Sequence, residues 1–147
     1  MVIKYIYAFY INKGGEQNVD TLRSRSEMRF TVSLAMLANE LINRYNLKQA
    51  EAAKLLGISQ PAISLYQKKL RGNAIHVEND PDITALVAKH ADYLVKGAST
   101  HKEALFSFCG ICKTIRAKGF LCEIHKAFDP TIEIEKCGFC QALDPRL

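Results

Sequence analysis

Cys109-Gly-Ile-Cys112, Cys122, His125 and Cys137-Gly-Phe-Cys140 place six soft donor groups within residues 109–140. A C-x-x-C spacing lets two thiolates from one tight turn grip one ion, and the small Gly110 and Gly138 suit such a knuckle. Two knuckles separated by 24 residues predict a four-cysteine zinc site of ribbon type, Cys109, Cys112, Cys137 and Cys140. A second closed set is Cys109, Cys112, Cys122 and His125. Thiolates also suit iron–sulfur clusters, so four of the five cysteines could instead hold one and make the chain a redox or iron sensor. An unmetallated dithiol built on one C-x-x-C pair is a further reading. All five cysteines fall in this one segment and their number is odd. With no secretion signal in view, that pattern points to metal rather than to a disulfide framework. His76, His90 and His101 carry no such pattern, and Lys113, Arg116 and Lys118 read as solvating a short helix.

The cysteines need a unit to hold them. From Phe108 onward the large apolar residues are few, chiefly Ile111, Ile115, Phe120, Leu121, Ile124, Phe128, Ile132, Ile134 and Phe139. A unit of about 40 residues with so small a core usually needs a metal or disulfides. The expectation is therefore a small cysteine-rich metal-binding module over 98–147, folding separately from what precedes it.

Upstream the pattern is helical. Val32, Leu34, Ala35, Leu37, Ala38, Leu41, Ile42 and Tyr45 recur at helical spacing, predicting an amphipathic helix over 30–45. Asn46 offers an N-cap for a second helix that stops at Gly57. A third runs to Gly72. Asp80 and Pro81 open a fourth, ending near Lys96. Residues 1–27 begin with the apolar, aromatic MVIKYIYAFYI, which reads as a strand or a peripheral tail of unclear role, and Met28 looks like the natural start of the fold.

The net charge of +5 is concentrated. Arg29, Arg44, Lys48, Lys54, Lys68, Lys69 and Arg71 face only Glu40 and Glu51 within 28–75, whereas 76–147 is near neutral. Such a block suits a polyanion partner.

The stretch QAEAAKLLGISQPAISLYQKKLRG, 49–72, specifies more. A helix-turn-helix needs a small residue where its two helices meet, and Ala53 is there. Four residues later it needs positive φ, and Gly57 is there. Ile58 and Ile63 fill the wedge, and Leu55, Leu56 and Tyr66 close it. Pro61 does not break the third helix. With Ser59 as N-cap it falls in the first turn, where its missing N–H has no intrahelical partner to lose.

These residues resemble the helix-turn-helix of lambda-repressor-like (Cro-type, Xre-type) regulators, over about 45 residues from Phe30 to Arg71. The wider layout, MRFTVSLAMLANELINRYNLKQAEAAKLLGISQPAISLYQKKLRG followed by a helix and then CGICKTIRAKGFLCEIH and CGFC, resembles a group of archaeal transcriptional regulators. The resemblance implies sequence-specific binding of double-stranded DNA by a helix-turn-helix domain spanning 28–97. It implies a recognition helix over 60–70 in the major groove. Ser59, Gln60, Ala62 and Ser64 would reach base edges, Gln60 pairing with adenine and Ala62 meeting a thymine methyl. Gln49, Lys68, Lys69 and Arg71 would hold phosphates. A homodimer on a palindrome is expected, because one recognition helix reads only a few base pairs.

The expected fold class is mainly α. There is no Ser/His/Asp set, no phosphate loop and no carboxylate pair in a catalytic context, so an enzyme is not expected. No apolar run in the sequence is long enough to span a bilayer, and the expected location is the cytoplasm. The rival reading from another class is a zinc-stabilised protein-interaction or RNA-binding adaptor without operator recognition.

Overall fold

In a computed structural model, the structure describes residues 19–97, 100–128 and 130–138. The described residues form six α-helices and one short 3₁₀ turn, and include no strand. The helices are α1 (Val19–Asn43), α2 (Gln49–Leu56), α3 (Gln60–Gln67), α4 (Pro81–Lys96), α5 (His101–Ala117) and α6 (Cys122–Phe128), with the 3₁₀ turn at Ile134–Lys136. The fold is mainly α, as expected. Residues 1–18, including the whole of the expected strand or tail MVIKYIYAFYI, lie outside the described residues, as does Cys140.

α1 is the central element. It packs against each of the other five helices. Its apolar residues therefore go beyond a single stripe: Val32, Leu34, Ala35, Leu37, Ala38 and Leu41 are all buried, as in a helix enclosed on several sides. It also begins earlier than expected, running through Met28 from Val19 without a break.

α2 and α3 end alike. Ile58 N–H donates to the Ala53 carbonyl (3.0 Å) and Gly57 N–H to that of Lys54 (3.3 Å). Leu70 N–H donates to Leu65 (3.0 Å) and Lys69 N–H to Tyr66 (3.1 Å). Both are Schellman closures, which put the residue past the cap in the left-handed region. Gly57 takes it at φ 64, and Lys69 takes it at φ 55 despite its Cβ. The third helix thus stops at Gln67 with Lys68 as its C-cap, one turn short of the expected end. Asn73 Nδ2 donates to the Lys69 carbonyl at 2.8 Å and supports that end. Gly72 then lies against α1: a Cβ there would sit 2.5 Å from Ala35 Cβ and 3.0 Å from the Thr31 carbonyl oxygen.

Asn46 is not the N-cap of α2. It turns the chain at φ 53, a conformation asparagine tolerates, and Lys48 caps instead, its N–H donating to Glu51 Oε2 at 2.8 Å. Asp80 does cap α4, accepting from the N–H groups of Asp82 and Ile83, both at 3.1 Å. Lys118, at the C-cap of α5, reaches the same carboxylate at 2.7 Å and Asp82 at 2.5 Å. The end of α5 is therefore fixed to the start of α4, and the two helices form an antiparallel hairpin. Lys118 is a clamp between helices and not merely a solvating residue. Its ammonium holds Asp80 below the usual carboxylate range, and the two carboxylates raise Lys118 in turn.

The expected separation of 28–97 from 98–147 is not the arrangement of the core. Phe108, Ile111, Ile115 and Leu121 belong to the same buried cluster as Val32, Leu41, Leu56, Ile63 and Val87. The reason is geometric: α5 folds back along α4 and places its apolar stripe on α1. Ile111, Ile115, Phe120, Leu121 and Ile124, which looked too few for a second core, pack into the first one.

Candidate nucleic-acid interface and the cysteine residues

Ser59 has extended backbone (φ −79, ψ 148), and its hydroxyl accepts the Ala62 N–H at 3.4 Å. Pro61 lies in the first turn of α3, where its ring costs no hydrogen bond. Behind this turn Ile63 and Tyr66 are buried with Ala52, Ala53 and Leu56 of α2. The packed face fixes what the other face offers. Ser59, Gln60 and Pro61 are exposed, and Ala62 and Ser64 are half-buried. Gln60 is thus the longest polar side chain presented by the first turn. Ser59 is partly engaged as a cap.

The cations of these two helices and their flanks lie at the surface. Lys48, Lys54, Lys68, Lys69 and Arg71 are all exposed, with Glu51 the one acidic residue among 48–71. Two cations of the wider basic block do not share in it. Arg44 pairs with Glu40 at 3.1 Å along α1, and Arg29 has its Nε buried. The exposed cations left for a partner therefore span less of the chain than the sequence block, falling within 48–71. Lys68 and Lys69 sit beyond the end of α3, on the turn that leads to Gly72.

Gln49 is half-buried and engaged. Its Nε2 donates to Gln67 Oε1 at 2.5 Å, joining the start of α2 to the end of α3. Gln67 did not stand out in the sequence, because an 18-residue separation carries no local signal. Lys48 and Lys54 are further exposed cations on the same two helices that no motif had singled out.

The first C-x-x-C is arranged differently from the expected knuckle, and the second, 137–140, runs into residues outside those described. Cys109 and Cys112 lie in the middle of the continuous helix α5, not in a turn. Cys109 is exposed and Cys112 is half-buried. The Cys112 sulfur touches Ser33 Oγ of α1 at 3.5 Å, and the Ser33 hydroxyl, itself fully buried, donates to the Arg29 carbonyl at 3.0 Å. Burial pushes the Cys112 thiol up, and the nearby Cys109 adds to that rise, against lowering by Ser33 and Arg29. Cys122 and His125 both lie on α6 and Cys137 follows the 3₁₀ turn. Among the described residues no three His, Cys, Asp or Glu side chains gather as a metal-ligand group. Cys109 and Cys112 do not fit a zinc knuckle or a cluster loop here, because one thiol faces solvent and the other faces α1.

His90, which carried no sequence pattern, is a core residue, 2% exposed. Its ring lies 5.8 Å from that of Phe108, and its Nδ1 has no hydrogen-bond partner among the described residues. Burial pushes its pKa down to about 4. Among the described residues no helix is long and apolar enough to cross a membrane. In comparisons with known proteins, no family model, no curated protein and no solved structure matches this chain.

Proposed function

We propose that the protein is a transcriptional regulator that binds double-stranded DNA with sequence preference, using 49–68 as a lambda-repressor-like helix-turn-helix and α3 as the helix that enters the major groove. The observation that carries this reading is the division of α3 into two faces. Ile63 and Tyr66 anchor one side in the core, and Ser59, Gln60 and Pro61 stand exposed at the N-terminal end of the other. In a docked helix of this type it is the N-terminal residues that meet base edges. Lys48, Lys54, Lys68, Lys69 and Arg71, all exposed on these helices and their flanks, suit phosphate contacts. Gln49 keeps a second amide N–H beside the one given to Gln67, enough to reach a phosphate oxygen without releasing α3.

Operator recognition further calls for a homodimer, since one α3 spans too few base pairs for useful specificity. The α4–α5 hairpin is the element proposed to join the copies. It carries the exposed apolar side chains Val95 and Phe106. Light scattering of the full chain, free and on DNA, tests this. Twice the chain mass supports it, and a monomer in both states removes it.

The test of DNA binding is selection of preferred duplexes from a random library, followed by affinity measurement. A recovered motif with a clear preference over scrambled duplex supports the reading. Uniform weak binding to all sequences, or preference for single-stranded RNA, favours the adaptor alternative.

A further inference from the structure

The C-x-x-C of α5 assembles no metal site among the described residues, which leaves two thiols one helical turn apart with different surroundings. Cys109 is exposed. Cys112 packs against Ser33, 79 positions earlier in the chain, at 3.5 Å. None of Cys109, Cys112, Cys122 and Cys137 is in a disulfide in this structure. We propose that Cys109 and Cys112 are a reversible dithiol couple, oxidised by small-molecule disulfides, and that closing the bridge withdraws Cys112 from Ser33 and loosens α5 from α1.

The geometry supplies the coupling. Residues three apart on a helix hold their Cβ atoms about 5–6 Å apart, whereas a disulfide brings them to about 3.8 Å. The turn must therefore tighten to close the bridge, and Cys112 must rotate toward Cys109, away from α1. The turn is suited to yield. Gly110 lies inside it, a weak helix former with no atoms packed over its Cβ position. Thr114 Oγ1 bonds back to the Gly110 carbonyl at 2.9 Å, a contact that often bends helices. On either side, Phe108, Ile111 and Ile115 are buried in the shared core, so distortion at this turn is felt along the α1 contact.

The chemistry balances in two exchanges. The Cys109 thiolate attacks one sulfur of the small disulfide, forming a mixed disulfide and expelling one thiolate. The Cys112 sulfur, giving up its proton, attacks the Cys109 sulfur and expels the second thiolate, which accepts that proton. Two protein thiols are oxidised and one small disulfide is reduced to two thiols. The roles follow from exposure: the accessible Cys109 meets the oxidant, and the half-buried Cys112 resolves the mixed disulfide.

This inference does not depend on the DNA reading, because its readouts are the bridge and the stability of the whole chain. The full-length protein is equilibrated in glutathione buffers of increasing oxidised fraction and digested with trypsin. Residues 103–113 form one tryptic peptide containing Cys109 and Cys112 and no other cysteine. The expected result is loss of two hydrogens from that peptide, reversed by reductant, with a fall in Tm of the intact chain of about 5 °C or more. Cys109→Ser, a change at an exposed position, should keep the reduced Tm and abolish both the bridge and the oxidant-dependent fall. Separate glutathione adducts without a bridge at every ratio would overturn the proposal. So would a bridge that leaves Tm unchanged, or zinc titration showing one ion per chain that protects Cys109 and Cys112 together.

Discussion

Gln49 Nε2 donates to Gln67 Oε1 across 2.5 Å, so the first residue of α2 holds the last residue of α3. The bond sets the spread of the two helices at the end opposite the Gly57 turn. Because it is exposed, its contribution is small: Gln67→Ala should lower stability by about 0.5 kcal/mol. On the proposed DNA-binding reading, the same change should also weaken binding, because Gln49 then loses the support that orients it. A double-mutant cycle of Gln49→Ala and Gln67→Ala in urea denaturation checks the first point, and additive losses would show that the bond contributes nothing.

Lys69 is held in the left-handed region at φ 55 by the closure of α3. A side chain there costs on the order of 1 kcal/mol relative to glycine. Lys69→Gly is expected to raise stability by about that amount and, on the proposed reading, to weaken DNA binding through loss of a cation. Gly57→Ala, at the equivalent place after α2, is expected to lower stability by a similar amount. Thermal denaturation of the two variants checks the pair, and shifts of the same sign would contradict the account of these turns.

The same two turns show what the sequence makes legible. Ala53, Gly57, Ser59, Pro61 and Ile63 act through contacts within about 20 residues of chain, and their spacing alone predicts the two helices and the cap between them. Asp80 and Pro81 likewise mark the start of α4. The C-x-x-C did not announce its setting, because three-residue spacing places two thiols together both in a knuckle turn and on one side of a helix. What decides between them is the contact of Cys112 with Ser33, which depends on α5 folding back along α4. His90 and Arg29 were obscure for the same reason: burial at 2% for one, and of Nε for the other, arises only from packing of elements far apart in sequence.

Acid should destabilise the protein through His90. Its folded pKa of about 4 lies below the ordinary 6.5, so protonation favours the unfolded chain. The stabilisation is complete above about pH 6.5 and is lost as pH falls toward 4, by about 3 kcal/mol in all. Asp80, held low by Lys118, acts in the same direction at lower pH. Urea denaturation between pH 7.5 and 4 reads the slope, and His90→Leu should flatten it between 6.5 and 4. An unchanged slope in that variant would contradict the burial of a neutral imidazole.

The shared core predicts one unfolding transition. Ile111 and Ile115 are fully buried beside residues of α1, so Ile111→Ala should destabilise the whole chain by about 2–5 kcal/mol. A fragment ending at residue 97 should lose much of its stability, because the apolar surface of α1 and α4 that α5 covers becomes exposed. Calorimetry and denaturant curves of the two proteins check this. Two separate transitions in the full chain, or a 28–97 fragment as stable as the whole, would contradict it.

As proposed above, α3 reads base edges while the exposed cations hold phosphates, and one set of binding isotherms separates the two contributions. Affinities of the wild type, Gln60→Ala and Lys69→Ala are measured on the selected duplex and on a scrambled one, across a series of salt concentrations. Gln60→Ala should lose about 1–3 kcal/mol on the selected duplex and little on the scrambled one. Lys69→Ala should weaken both alike and reduce the salt slope by about one phosphate contact. Equal losses on both duplexes for Gln60→Ala, or no change for either variant, would contradict the assignment of this surface.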